Sequence, residues 1–193
     1  MRPVSDVDEG APQVFSRDDR VDPPLRADEL TTLRAFLDFQ RDTFRWKCAG
    51  LTQEQLARPL PPSDMTLGGM MKHLAIVDSS WFEYDYGGRE FMPPFDTVDW
   101  DADPDWEWHT AKDDTPEQLR ALFDEGVRRA DAVLDAALAA GLGLDDESAR
   151  LCPREGAGRF SLRWIMLHLI EEYARHNGHA DLLRESIDGE VGE

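Results

Sequence analysis

The stretch SLRWIMLHLIEEYARHNGHADLLRESI, residues 161–187, limits the fold more than any other part of the chain. Its length and apolar period are those of one long helix. At about 100° per residue, with Glu172 as zero, His168 falls about 40° to one side, His176 about 40° to the other and His179 about 20° away. Ile165 and Leu183 lie within about 20° of the same direction. Four polar side chains therefore share the face that the helix must bury. A lone carboxylate there costs several kcal/mol unless it finds a partner. The fold has to supply both apolar neighbours and that partner.

The rest of the chain offers three more long amphipathic helices. The first starts near Asp28, with Leu30, Leu33, Leu37, Phe44 and Cys48 close to one face and Phe36 beside them, and Gly50 is placed to end it. The second starts between Ser63 and Leu67, carries Met70, His73, Leu74, Val77, Trp81 and Tyr84 as its buried stripe, and stops at Gly87-Gly88. The third opens on Thr115-Pro116-Glu117-Gln118, an N-cap, a proline at the first helical position and a capping-box Gln. The fourth takes Ser161 as its cap. Residues 89–114 and 145–158 read as irregular connections, long enough to admit a crossover. No strand pattern stands out. An all-α four-helix bundle over residues 28–193, preceded by a tail or arm over residues 1–27, follows.

Charge narrows the partners. The 193-residue chain has a formal net charge of −19. Such a field repels phosphate backbones and anionic lipid, which argues against nucleic acid and membrane surfaces. No stretch approaches the apolar length needed to span a bilayer, and the first residues lack the centre of a signal peptide, so a cytoplasmic protein is expected. Cys48 and Cys152 form no metal motif and are expected as reduced structural thiols.

A divalent metal would solve the problem posed by Glu172. Neutral imidazoles and a carboxylate are usual ligands, and residues one turn apart can meet one ion. Glu172 and His176 have that spacing. A third ligand must come from another helix, where His73 lies on a buried stripe; His109 sits in an irregular acidic segment. His168 reads as a ligand or as a group that orients one.

Two stretches, GLTQEQLARPLPPSDMTLGGMMKHLAIVDSSWFEY and SLRWIMLHLIEEYARHNGHADLLRE, resemble the DinB-like superfamily, and most closely its mycothiol-dependent, maleylpyruvate isomerase-like branch. The resemblance covers residues 28–187. It implies a four-helix bundle holding a divalent ion, Zn or Ni, through His73, Glu172 and His176. It also implies mycothiol as co-substrate, a small-molecule thiol reacting with an electrophile in an S-transferase or isomerase. His179 stands where many members have Gln. His168, His179, Glu171 and Arg163 are expected around the metal or the substrate, Arg163 and Arg159 as partners for a carboxylate. A catalytic residue is not assigned, and a homodimer is left open. Two alternatives remain: a metal-dependent hydrolase, with Glu171 or His179 as base, and a non-catalytic stress-related binding protein that uses the aromatic loop Phe91 to Trp108. The loop with Cys152 is expected to stay outside the metal's first ligands.

Overall fold

The computed structural model describes residues 15–192. Four long helices dominate it: α1 (Glu29–Cys48), α3 (Leu67–Ser79), α5 (Pro116–Ala139) and α6 (Leu162–Asp188), with two short helices between them, α2 (Gln53–Leu56) and α4 (Trp106–Thr110). The caps form from local chemistry. Asp28 accepts from the Thr31 amide, Thr66 from Gly69, Thr115 from Gln118 and Ser161 from Trp164, so each helix begins where a side-chain oxygen can satisfy a free N–H. The end of α3 widens into a π-helical stretch, Ser80–Tyr86. Phe36, expected beside the α1 core face, is 44% exposed.

Cross-helix contacts give the directions. Arg163 pairs with Glu29 near the starts of α6 and α1, and Lys47 with Asp181 towards their ends, so these two helices run parallel. Gly68 lies against Leu119, and Gly126 against Ala75, so α3 and α5 also run parallel. A Cβ at Gly126 would come 2.6 Å from the Ala75 carbonyl oxygen, so only glycine permits this approach. Arg34 and Asp135, with Arg45 and Asp124, set α1 antiparallel to α5. The order is up, down, down, up, and the crossover joins α3 to α5.

That crossover is not structureless. It retraces α3, burying Met92 and Phe95 against Ala75 and reaching Gly69 with Trp108, and it holds α4. The connection before α6 also differs from a plain loop: β1 (Glu147–Leu151) pairs antiparallel with β2 (Arg159–Ser161). Only Ser148 of β1 is buried, so the strands carry no apolar alternation to read. Of the expected N-terminal arm, residues 1–14 lie outside the described residues. The following part packs on α1, with Arg20 over the rings of Phe39 and Trp46. Among the described residues no helix is long and apolar enough to cross a membrane.

The core of the bundle also holds charge. Arg41 of α1 and Asp78 of α3 form a wholly buried ion pair, Tyr173 of α6 donates to the other Asp78 oxygen, and Asp131 of α5 meets Arg41 at 2.9 Å. Burial pulls the Arg41 guanidinium down, but Asp78, Tyr173 and Asp131 outweigh it and hold it charged. All four long helices contribute one group. Breaking such a pair from one side leaves an uncompensated buried charge. Asp78→Ala is therefore expected to lower the unfolding free energy by about 3–5 kcal/mol, and Tyr173→Phe by about 1 kcal/mol, in urea titrations of the two variants. The reverse order would contradict this assignment.

Candidate metal centre

The stripe of α3 and the polar seam of α6 meet halfway along the bundle. His73 Nε2 lies 3.3 Å from a Glu172 oxygen, and His176 Nε2 lies 3.2 Å from the same oxygen. One ligand atom from each of His73, Glu172 and His176 falls within 4.8 Å of the others. His176 is buried, while His73 and Glu172 keep about a fifth of their side chains exposed, so the cluster opens on one side. Hydrogen bonds from His176 and then His73 hold Glu172 well below the usual carboxylate range, against its partial burial. For His73, burial lowers the pKa, but hydrogen bonds to Glu107 and Glu172 reverse the balance and raise it.

These donors suit a divalent ion. Two imidazole nitrogens and a carboxylate oxygen converge, the number and kind that zinc sites with a free position use. Both imidazoles turn to one carboxylate oxygen, and the other ring nitrogen of His176 is buried with no hydrogen-bond partner.

Sequence reasoning did not find Glu107. It comes from α4, is buried, and one of its oxygens meets His73 Nδ1 at 3.1 Å. A carboxylate there fixes Nδ1 as the protonated nitrogen and turns Nε2 outward as a lone pair. The neighbouring residues hold it in place. Trp108 lies over the His73 ring at 4.9 Å, and the Lys72 ammonium sits 4.2 Å from the Trp106 ring while bonding Thr110 and Asp114. A Cβ at Gly69 would come 2.6 Å from Trp108, so this packing needs glycine. The cluster thus has two carboxylates, enough to balance a divalent charge in full.

The other expected residues lie around it. His179 meets the His176 ring at 5.5 Å, nearly edge-on; burial, then His176 and Arg175, push its pKa down. His168 stacks on Trp164 and meets Trp81 edge-on, one turn from Glu172, with Glu171 at 3.8 Å. Glu171 points outward and pairs with Arg175. Arg163 is bound between Glu29 and Asp145, and Arg159 donates to the carbonyls of Ser148 and Ala149 within the hairpin. His109 is exposed beside Asp103, away from the cluster. Neither Cys48, buried in the core, nor Cys152, at the hairpin, belongs to it.

Two predictions follow from these contacts. Glu107→Gln, which keeps the shape and removes the charge, is expected to weaken zinc binding about 10- to 100-fold in chelator competition while leaving the chelator-treated melting curve close to wild type. Unchanged zinc affinity would remove Glu107 from the site. Metal must also displace the proton that Glu107 and Glu172 help His73 retain. Zinc affinity is therefore expected to rise with pH, and to keep rising above the ordinary histidine value near 6.5. A pH series of competition titrations reads the slope.

A family model described as Mycothiol-S-transferase matches residues 32–189 of the chain. No curated protein matches it.

Proposed function

The chain belongs to the mycothiol-S-transferase family, and from that premise we propose that it joins the sulfur of mycothiol to a small electrophile at a divalent metal held by His73, Glu172 and His176. The observation that carries this reading is the convergence of those three donors on one partly open point between α3 and α6. When bound, the ion supplies the positive charge that converts a thiol into the thiolate nucleophile. In transfer, a carbon–sulfur bond forms, and the electrophile's leaving group departs with its electron pair; the thiol proton goes to solvent.

The chain's own residues prepare this chemistry. Glu172 is held ionised and stands between the two imidazoles. Glu107 orients His73 from behind, and Trp108 packs over one side of that ring. Zn and Ni both suit the nitrogen and oxygen donors. We also infer a cytoplasmic setting, where a low-molecular-weight thiol is kept reduced.

Two linked measurements test the reading. Protein prepared without chelator is expected to contain close to one equivalent of divalent metal and to melt higher than after chelation, because an ion that binds only the folded state stabilises it by mass action. His73→Ala is expected to lose most of that difference and more than tenfold in metal affinity. Wild type with mycothiol and an alkylating electrophile is expected to consume free thiol, and metal-stripped protein to do so only after Zn or Ni is returned. Identical melting curves with and without chelator, once all ion is removed, would overturn the metal site. Thiol consumption that ignores the protein would overturn the transfer reaction.

A further inference from the structure

The hairpin before α6 builds a pocket at the start of the helix that carries Glu172 and His176. It encloses about 300 Å³ between β1, β2 and the first turn of α6, at the lower end of ordinary ligand pockets. Its apolar wall is aromatic. Trp164, 38% exposed, packs on Phe160 at 4.7 Å, and Trp81 braces both rings from behind at 5.3 and 5.0 Å. Its rim is polar and of mixed sign: Asp145, Glu147, Arg154, Arg159 and Ser161. Among the described residues neither Glu147 nor Arg154 has a side-chain hydrogen bond or ion pair, whereas Asp145 is taken by Arg163.

A flat, braced aromatic face with a charge-balanced hydrogen-bonding rim suits a neutral polyhydroxylated ring. With Arg159 held by the carbonyls of β1 and Asp145 by Arg163, the rim keeps one carboxylate, Glu147, and one guanidinium, Arg154, a balance that gives no net preference for an ion, and a purely apolar group would leave both unpaired. The other cavities have different chemistry. The one beside His179, about 240 Å³, is walled by Leu60, Met65, Leu182 and Leu183 and suits an apolar group. One of about 530 Å³ lies by Cys48 and Phe123 between α1 and α5, away from the helix that carries Glu172 and His176.

The position also fits. Trp164 precedes Glu172 by eight residues on one helix, roughly 12 Å at 1.5 Å per residue, and His168 stacks on Trp164 between them. Mycothiol carries its cysteine at one end of a glucosaminyl-inositol. The geometry points to the hairpin pocket as the seat of that sugar–polyol part, with Trp164 and Phe160 as its floor and Glu147 and Arg154 bonding its hydroxyls, so that the sulfur reaches the metal centre. This assignment rests on the transfer reading above and names where its thiol is held.

N-acetylglucosaminyl-inositol, which is neutral like the acylated sugar of mycothiol and has no sulfur, tests the pocket apart from the metal. It is expected to bind the full chain in calorimetry, with and without chelator. Trp164→Ala and Glu147→Ala are each expected to weaken that binding about fivefold, the worth of one aromatic contact or one hydrogen bond. Trp164→Phe, which keeps a ring, is expected to recover most of the loss. In turnover, Trp164→Ala and Glu147→Ala are expected to raise KM for mycothiol by a similar factor, and to lose far less with L-cysteine, which has no sugar. Glu147 is exposed, so its variant tests the claim even where a tryptophan change disturbs packing. No binding of N-acetylglucosaminyl-inositol, or equal binding by wild type and both alanine variants, would overturn the assignment. Sugar binding without any conjugation would instead sink the transfer reading and leave the pocket standing. Conjugation with an unchanged KM in both variants would do the opposite.

Discussion

The buried contact among Arg41, Asp78 and Tyr173 sets the register on which the metal centre depends. Asp78 lies five residues after His73 on α3, and Tyr173 follows Glu172 directly on α6. A slide of either helix by one turn, about 5.4 Å, would part a buried carboxylate from its guanidinium and phenol. Apolar side chains tolerate some repacking; a buried charge does not. The same register brings His73 to Glu172 and His176. The buried Arg41–Asp78 pair and the candidate site are thus two readings of a single alignment, one on the inner side of the helices and one on their open groove.

Much of this was legible in the sequence because the signals were local. Thr115, Ser161 and the stripes of α3 and α6 declare themselves within one or two turns, and the seam at Glu172 could be placed by angle alone. Glu107 could not. Its partner, His73, lies 34 residues away, and the segment around it has no period because its aromatic rings pack on α3 rather than on a face of their own. Arg41 was missed for a related reason: an arginine in an amphipathic helix reads as surface, and only its buried partner Asp78 shows otherwise. His168 shares the angular range of the two α6 cluster residues, yet Trp81 and Trp164 claim its ring. Angle gives a direction, and neighbours decide what is met there.

The hairpin illustrates the limits of pattern in short strands. Glu147–Leu151 buries a single serine, whose hydroxyl donates to the Arg150 carbonyl and accepts from the Phe160 amide. Arg159 adds bonds to the carbonyls of β1. The strands are held by polar contacts that leave no hydrophobic trace, and their product is an aromatic and polar concavity rather than more core.

The parallel placement of α3 and α5 has a consequence for how this chain can vary. A segment joining them must travel back along the whole of α3 before α5 can begin. It is not an appendage on a finished bundle but the thread that lets two neighbours point the same way. Because the return path runs over α3, the residues that cover His73 sit on it as a matter of route. Homologues that shorten this segment face a choice: reverse a helix, or uncover the imidazole. Drift in length is therefore costly here, although the segment looks like a surface connection in the chain.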